Sequence, residues 1–412
     1  MPREIRVNAL MAIALGALEG GLLGVLVKNA FGQMAPEIWV NFAVALVSGA
    51  PALGNLTSLG FAQLAHGRSK TRWVSTLMGV TALSAMMIAV APLSPAGLIW
   101  LCFWMVVGRL SWSGVMTLRA AIWRANFPRP VRARITGRIT VIYSLLIALS
   151  ATVIGGLLEA HPMAWRVLFP IAGLLGLLAA WQYRRFTVRG QGRLLKQEAD
   201  GHNRLRLSDA IRVLREDRWY RRYMSTMFLF GSGNLMVIAL LVVILTEQLG
   251  MSRFDQVLVT TTIPLLGVAL CTPFWAARLD RMHVLDYRAR HSWSFVAAML
   301  LFASGAIFEL EAPIWIGALL LGAAFAGGKL GWNLGHNDFS SDERSTLYMA
   351  IHVTLTGIRG LLAPLLGMAC YQALEAMQHG LGSYVLLLPL ALTSAGAVRF
   401  VLLASERRKS AN

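Results

Sequence analysis

The stretch Gly108-Arg109-Leu110-Ser111-Trp112 lies inside a long apolar run from about Pro95 to Ala125. Its arginine is far from either end of that run. The same pattern returns 220 residues later as Gly328-Lys329-Leu330-Gly331-Trp332, again within an apolar run. Each copy holds a cation directly after a glycine, with a tryptophan three positions on. The echo implies two related halves, each keeping a positive charge where hydrocarbon should repel it.

Composition says what surrounds that motif. The chain has 412 residues, 56% of them hydrophobic and only 14% charged, and its mean hydropathy is +0.59. Its apolar runs last about 20 residues, the length that crosses a roughly 30 Å hydrocarbon layer as a helix. This is the pattern of a polytopic membrane protein. The formal charge of +18 does not point to nucleic acid, because the cations sit in short loops between the runs. Cys102, Cys271 and Cys370 lie within apolar runs with no close-spaced pair, as small core residues rather than metal ligands or disulfides. Arg3 and Arg6 precede an apolar run that extends to about Val27 without a small-x-small cleavage site, so it reads as an uncleaved first helix.

Twelve runs are expected, near 9–28, 38–62, 73–92, 96–124, 136–159, 164–183, 223–247, 255–278, 291–309, 313–337, 346–373 and 382–404. The expected fold is all-α, with twelve transmembrane helices in two pseudo-symmetric six-helix bundles. The bundles span 1–184 and 223–412, and a basic linker at 185–222 joins them. Thirty of the 38 Lys and Arg residues fall at the termini, in the linker and in the loops on the same side. The opposite loops hold only Lys28, Arg166 and Arg253. The positive-inside bias then puts both termini and the linker in the cytoplasm. Trp39, Trp165 and Trp315 near outer ends, and Trp73, Trp123 and Trp181 near inner ends, fit interfacial belts. In the linker, Leu207, Ile211 and Leu214 share a helical face after the helix-start pair Ser208-Asp209. That spacing predicts an amphipathic helix on the inner leaflet.

This architecture resembles the major facilitator superfamily of secondary transporters. The family's loop signature, Gly-x-x-x-Asp-Arg-x-Gly-Arg-Arg/Lys, is partly matched between the second and third runs by Gly60, Gly67, Arg68 and Lys70, with Leu64 at the acidic position. In the loop after the eighth run, Asp280-Arg281 keeps the Asp-Arg pair and loses both glycines. The resemblance implies gating roles for Gly60, Gly67, Arg68, Asp280 and Arg281. It also implies a central cavity lined by helices 1, 4, 7 and 10, with the halves rocking about a midplane site. Arg109 is similar to the fourth-helix arginine of proton-coupled members, although Trp112 and Ser113 stand where those carry Gln and Gly.

Charges at mid-depth cost about 2.5–3.5 kcal/mol each on insertion scales, so they are paired, wet or functional. Glu19 lies roughly 15 Å into the first helix, and Arg109 roughly 21 Å from the outer end of the fourth, at 1.5 Å per residue. They are at matching depth. Gly16, Gly20, Gly21 and Gly24 around Glu19 would admit another helix closely. The pair reads either as a proton-coupling site or as a static tie between helices. Lys329 and Asn333 share a helical face, and Arg359 is well inside the eleventh run with His352 about two turns away. No carboxylate lies at their depth, since Asp338 is nearer the inner end and Glu343 is in a loop. Lys329, Asn333 and Arg359, with Arg109, therefore form a candidate substrate-binding set for an anionic group; snorkelling is the alternative. Arg119 and Arg399 are placed to snorkel to the inner surface. Gly231-Ser-Gly-Asn234 reads either as a cavity-lining turn, with Asn234 a substrate-binding residue, or as close helix packing.

The expectation is a secondary transporter of a small organic anion, coupled to protons. It would act as a monomer in a bacterial inner membrane, with lipid, substrate and protons as its partners. A proton-coupled exporter of lipophilic compounds keeps the same fold, and a non-transporting assembly factor is a third reading. No catalytic, metal or cofactor motif is present: there is no His-Glu-x-x-His, no Gly-x-Ser-x-Gly and no P-loop.

Overall fold

The computed structural model describes residues 2–127, 129–192, 195, 207–341 and 344–411, and every regular element among them is a helix. The first eight are α1 (Pro2–Ala17), α2 (Gly20–Phe31), α3 (Glu37–Leu53), α4 (Ser58–Leu64), α5 (Lys70–Ala89), α6 (Pro95–Asn126), α7 (Arg129–Ala160) and α8 (Trp165–Tyr183). A short α9 (Leu207–Glu216) precedes α10 (Arg218–Glu247) and α11 (Arg253–Val257). A π-helical turn at Leu258–Thr262 leads into α12 (Ile263–Leu279), followed by α13 (Val284–Ile307), α14 (Glu311–Leu334), α15 (Ser345–Met377) and α16 (Leu387–Ala411).

Among the described residues, 11 helical spans are long and apolar enough to cross a membrane. The sequence led us to expect twelve. The difference lies at the ninth expected run, 291–309, which corresponds to α13. That helix begins at Val284, and its first half carries Asp286, Arg288, Arg290 and His291. Its 24 residues would reach about 36 Å at 1.5 Å per residue, but those side chains lower its apolar character. Glu343, expected in a loop, lies outside the described residues.

Helix packing groups the elements by position in the chain. α1 packs on α7 and α8, and α5 packs on α6 and α8. After residue 218, α10 packs on α15 and α16, α12 on α14, and α13 on α14 and α16. The two groups meet most extensively where α3 lies along α15. Glycine permits that approach: a β-carbon on Gly49 would sit 2.4 Å from the Gly360 carbonyl oxygen, and one on Gly360 would sit 2.4 Å from Ala52 Cβ. Outward-facing residues such as Ile99, Leu270 and Leu319 remain more than half exposed, a surface that hydrocarbon solvates at least cost. Trp39 and Trp181 are exposed as expected of interfacial residues, whereas Trp165 is fully buried against Phe169. Cys102 and Cys271 are half-buried and Cys370 is exposed, so they are not uniformly core residues; all three are free.

The helix expected in the linker is present as α9, docked on α10 and α15. Val213 is buried and Ile211 is exposed, and the side chain of Leu207 lies outside the described residues. The side chain of Ser208, expected to start it, lies outside the described residues.

Candidate transport site

The first span is broken at the residue the sequence singled out. α1 ends at Ala17 and α2 starts at Gly20, with Glu19 between them in an extended conformation (φ −71°, ψ 134°). Such a break frees backbone carbonyls that hydrocarbon cannot satisfy. Arg109 of α6 satisfies one of them: its Nε donates to the Leu18 carbonyl at 2.9 Å, and its Nη2 donates to the same oxygen. Nη2 also lies 2.9 Å from Glu19 Oε2. Arg109 is buried, and the Glu19 side chain remains 26% exposed. Gly108 belongs to this arrangement, because a β-carbon there would meet Ser84 at 3.0 Å and Leu18 at 3.2 Å. The helix break itself was not anticipated from sequence.

The second copy of the motif lines a cavity of about 200 Å³. Its polar and charged lining consists of Asn234, Arg288, Lys329, Thr356 and Arg359, and no carboxylate contributes to it. Phe230, Phe295, Phe325 and Trp332 supply aromatic walls. Lys329 has no hydrogen bond or ion pair among the described residues, and its side chain is exposed. Arg359 is buried; it donates to the Met227 carbonyl and, at 2.7 Å, to Thr356 Oγ1, while its Nε has no partner. Arg288, only 1% exposed, reaches the Gly328 carbonyl at 3.3 Å, and its Nε likewise has no partner. The buried side-chain oxygen of Asn234 accepts no hydrogen bond. Positive charge therefore converges here without its usual compensation.

Sequence reasoning missed Arg288 by assigning it to the loop before the ninth run. The glycines of the motif carried the only hint, since a β-carbon on Gly331 would lie 2.9 Å from Arg288 Cζ. Gly231 works in the same way: a β-carbon there would approach Arg359 Nη1 to 2.1 Å. α10 runs unbroken through Gly231-Ser-Gly-Asn234, so there is no turn: Gly231 makes room for the Arg359 guanidinium, and Gly233 lets α16 approach at Pro389 and Thr393. Asn333 is exposed and does not line the cavity. The lining comes from α10, α13, α14 and α15, and not from the first and fourth helices. Arg109 and Glu19 stand apart from it.

The two motif copies share more than residue types. Thr81 of α5 donates to the Gly108 carbonyl at 3.2 Å, as Arg288 of α13 does to Gly328. Trp112 stacks on Tyr143 of α7, with centroids 6.0 Å apart. Trp332 donates to Thr356 of α15 at 3.0 Å. In each case the first partner lies on the helix before the loop leading into the motif helix, and the second on the helix after it. Arg119 does not snorkel: it is buried, donates to Asn8 Oδ1, and lies over the rings of Trp112 and Trp123 at 5.4 and 4.5 Å. Arg399 is exposed beside Ser225 Oγ at 3.2 Å.

Among the residues expected to gate, Gly67 has φ +66° in the turn after α4, a backbone that glycine adopts without strain. A β-carbon on Gly60 would meet open space. Arg68, Asp280 and Arg281 are exposed and form no ion pair among the described residues. The charged contacts nearby use other acids: Asp286 lies 3.5 Å from Arg407 and 3.6 Å from Arg408, and Asp338 lies 4.0 Å from His283. Burial holds the His283 imidazole below its usual range, against the opposing pull of Asp338. Its Nδ1 accepts from the Leu285 amide at the start of α13.

At the end of α2 remote from the N-terminus, a polar cluster joins the two groups of helices. Lys28 Nζ donates to Glu247 Oε1 and, at 2.7 Å, to Asn41 Oδ1. Tyr371 donates to Glu247 Oε2. Close by, Arg253 donates to Asn29 Oδ1 at 3.3 Å and to the Leu158 carbonyl at 3.2 Å. Nearer mid-depth, Thr152 and Thr262 hydroxyls lie 2.9 Å apart at the π-helical turn.

Comparison with known proteins places this geometry. The family model of the Major Facilitator Superfamily matches residues 9–364. Among solved structures, the POT family transporter PepTSo superposes with a TM-score of 0.72 at 11% identity, covering 99% of this chain and 98% of that one. The nucleoside transporter NupG gives 0.71 at 10% identity over 98% of each chain. A D-xylose-proton symporter gives 0.70 at 12% identity, over 97% of this chain and 95% of that one. No curated protein matches the chain. At these identities the structural likeness speaks for the fold alone, and the match over most of the sequence speaks for the family. The chain is an integral membrane protein that belongs to the Major Facilitator Superfamily of transporters.

Proposed function

We propose that this protein is a secondary active transporter that carries a small organic anion by alternating access, coupled to protons. The observation that carries the reading is the convergence of Arg288, Lys329 and Arg359 on one cavity with no carboxylate in its lining. Two buried guanidinium groups and an exposed ammonium, all with unused donors, favour a ligand that brings negative charge. Arg109 then serves the helix break and Glu19, and the anion is held in the second half.

Glu19 is the proton carrier in this reading. It is partly exposed and paired with Arg109. A bound anion would supply the counter-charge that Lys329 lacks among the described residues. The moving units are the bundles 1–184 and 223–412 with twelve spans, α13 supplying the ninth, and residues 185–222 as a cytoplasmic linker. The protein acts as a monomer in a bacterial inner membrane. With both termini inside, the Lys28–Glu247 cluster closes the outer end, and the cavity is poised for exchange with the cytoplasm.

The test is proton-linked flux in liposomes holding the purified chain, assayed against carboxylates, phosphate esters and lipophilic cations. Anion flux driven by a proton gradient is the expected result. The aromatic walls of the cavity favour a second reading, a proton-coupled exporter of lipophilic compounds, and flux confined to lipophilic cations would establish it. Absence of flux for every class would favour a non-transporting assembly role.

A further inference from the structure

A second cavity, of about 850 Å³, lies where the start of α1 meets the ends of α6 and α8. Four guanidinium groups line it: Arg3, Arg6, Arg185 and Arg189. Its one carboxylate, Glu4, is buried and already accepts from Trp123 Nε1 at 2.5 Å. The arginines other than Arg185 have no side-chain partner among the described residues, and the Arg185 guanidinium lies 3.7 Å from the centroid of the exposed Trp181 ring. The rim is fixed in place. Asn126 at the end of α6 donates to the Thr187 carbonyl and accepts from the Arg189 amide, both at 2.9 Å.

We infer that this cavity binds the phosphate headgroup of an anionic glycerophospholipid of the inner leaflet. Guanidinium groups match phosphate oxygens by paired N–H donation. The cavity opens at the ends of membrane helices, beside an exposed tryptophan of the kind that sits at headgroup level. The cytoplasmic leaflet concentrates anionic lipid against basic segments there. The site is built from the start of α1, the end of α6 and the end of α8 with the segment that follows it, apart from the transport cavity, and does not depend on what that cavity carries.

The experiment is native mass spectrometry of the full chain, released from micelles containing phosphatidylglycerol and phosphatidylcholine with identical acyl chains. We expect phosphatidylglycerol to be retained at least about fivefold over phosphatidylcholine, and that preference to fall to parity in R185Q/R189Q. R3Q/R6Q repeats the test from α1 should the first variant misfold, and R185K/R189K is expected to keep part of the preference. Equal retention of the two lipids by the wild type would overturn the assignment, as would a preference that survives both glutamine pairs. Displacement of phosphatidylglycerol by inorganic phosphate at about 10 mM would also overturn it, assigning the cavity to a soluble phosphate compound.

Discussion

Arg109 holds the backbone carbonyl of Leu18 through two of its nitrogens while its Nη2 also pairs with Glu19. One side chain thus closes the gap between α1 and α2 and neutralises the acid within that gap. Deleting it leaves a freed carbonyl and an unpaired carboxylate together. Arg109→Ala is expected to cost about 1–3 kcal/mol of stability, the penalty of one unsatisfied buried acceptor, measured by thermal unfolding in detergent. Glu19→Gln keeps the size and a hydrogen-bonding oxygen and is expected to fold, yet to lose uphill, proton-driven flux while retaining downhill exchange. Uphill flux that survives Glu19→Gln would remove Glu19 from the coupling step.

The glycines facing the cavity cations provide a test that leaves every charge in place. Gly231→Ala would drive a methyl into Arg359, and Gly331→Ala would drive one into Arg288. Each is expected to weaken substrate binding about tenfold or more, equivalent to about 1.4 kcal/mol, with the net charge unchanged. Transport assays over a range of substrate concentration should show this as a raised KM. An unchanged KM in both variants would mean that the guanidinium positions do not matter to the substrate.

At the other end of α2, Glu247 accepts from Lys28, Tyr371 and Asn41. Glu247→Gln is expected to loosen this closure and shift the population toward separation of the two helix groups there. Spin labels at Met34 and Met377, both exposed, would report a longer mean distance by pulsed dipolar spectroscopy. An unaltered distance distribution would show that closure rests on apolar packing such as α3 against α15.

His283 sets a pH dependence. Its folded-state pKa lies below the ordinary value of 6.5, so the unfolded chain takes up the proton first as pH falls. Stability is unaffected by this group well above pH 6.5 and declines as pH drops through 6.5 toward the lower folded-state value. Protonation of Nδ1 also removes the acceptor for the Leu285 amide, a cap of about 1 kcal/mol. Thermal unfolding followed from pH 8 downward should show the decline in the wild type and a smaller one in His283→Asn.

Depth along a helix was enough to match Glu19 with Arg109, because both sit near the middle of runs whose ends are visible in the sequence. The repeated motif likewise marked both cation sites. Arg288 was not legible. It sits within the first two turns of α13 between Asp286 and Arg290, and hydropathy assigns such a cluster to a loop; only packing against Gly328 and Gly331 shows it to be interior. The helix break at Glu19 was not legible for a related reason. Glycines at 16, 20, 21 and 24 and at 231 and 233 look alike in sequence, but the first set flanks an interrupted helix, whereas in an intact one Gly231 admits a guanidinium and Gly233 a neighbouring helix. Glycine spacing records that something approaches closely, without recording what.

The central claim is that Arg288, Lys329 and Arg359 hold a substrate anion. The most direct measurement is proton-driven uptake of a carboxylate and phosphate-ester panel into liposomes by the wild type, Lys329→Gln and Arg288→Gln. The account predicts anion uptake by the wild type that falls at least about tenfold in each variant, the loss of one charge-assisted contact. No anion uptake by the wild type, or anion uptake equal in all three proteins, would contradict it.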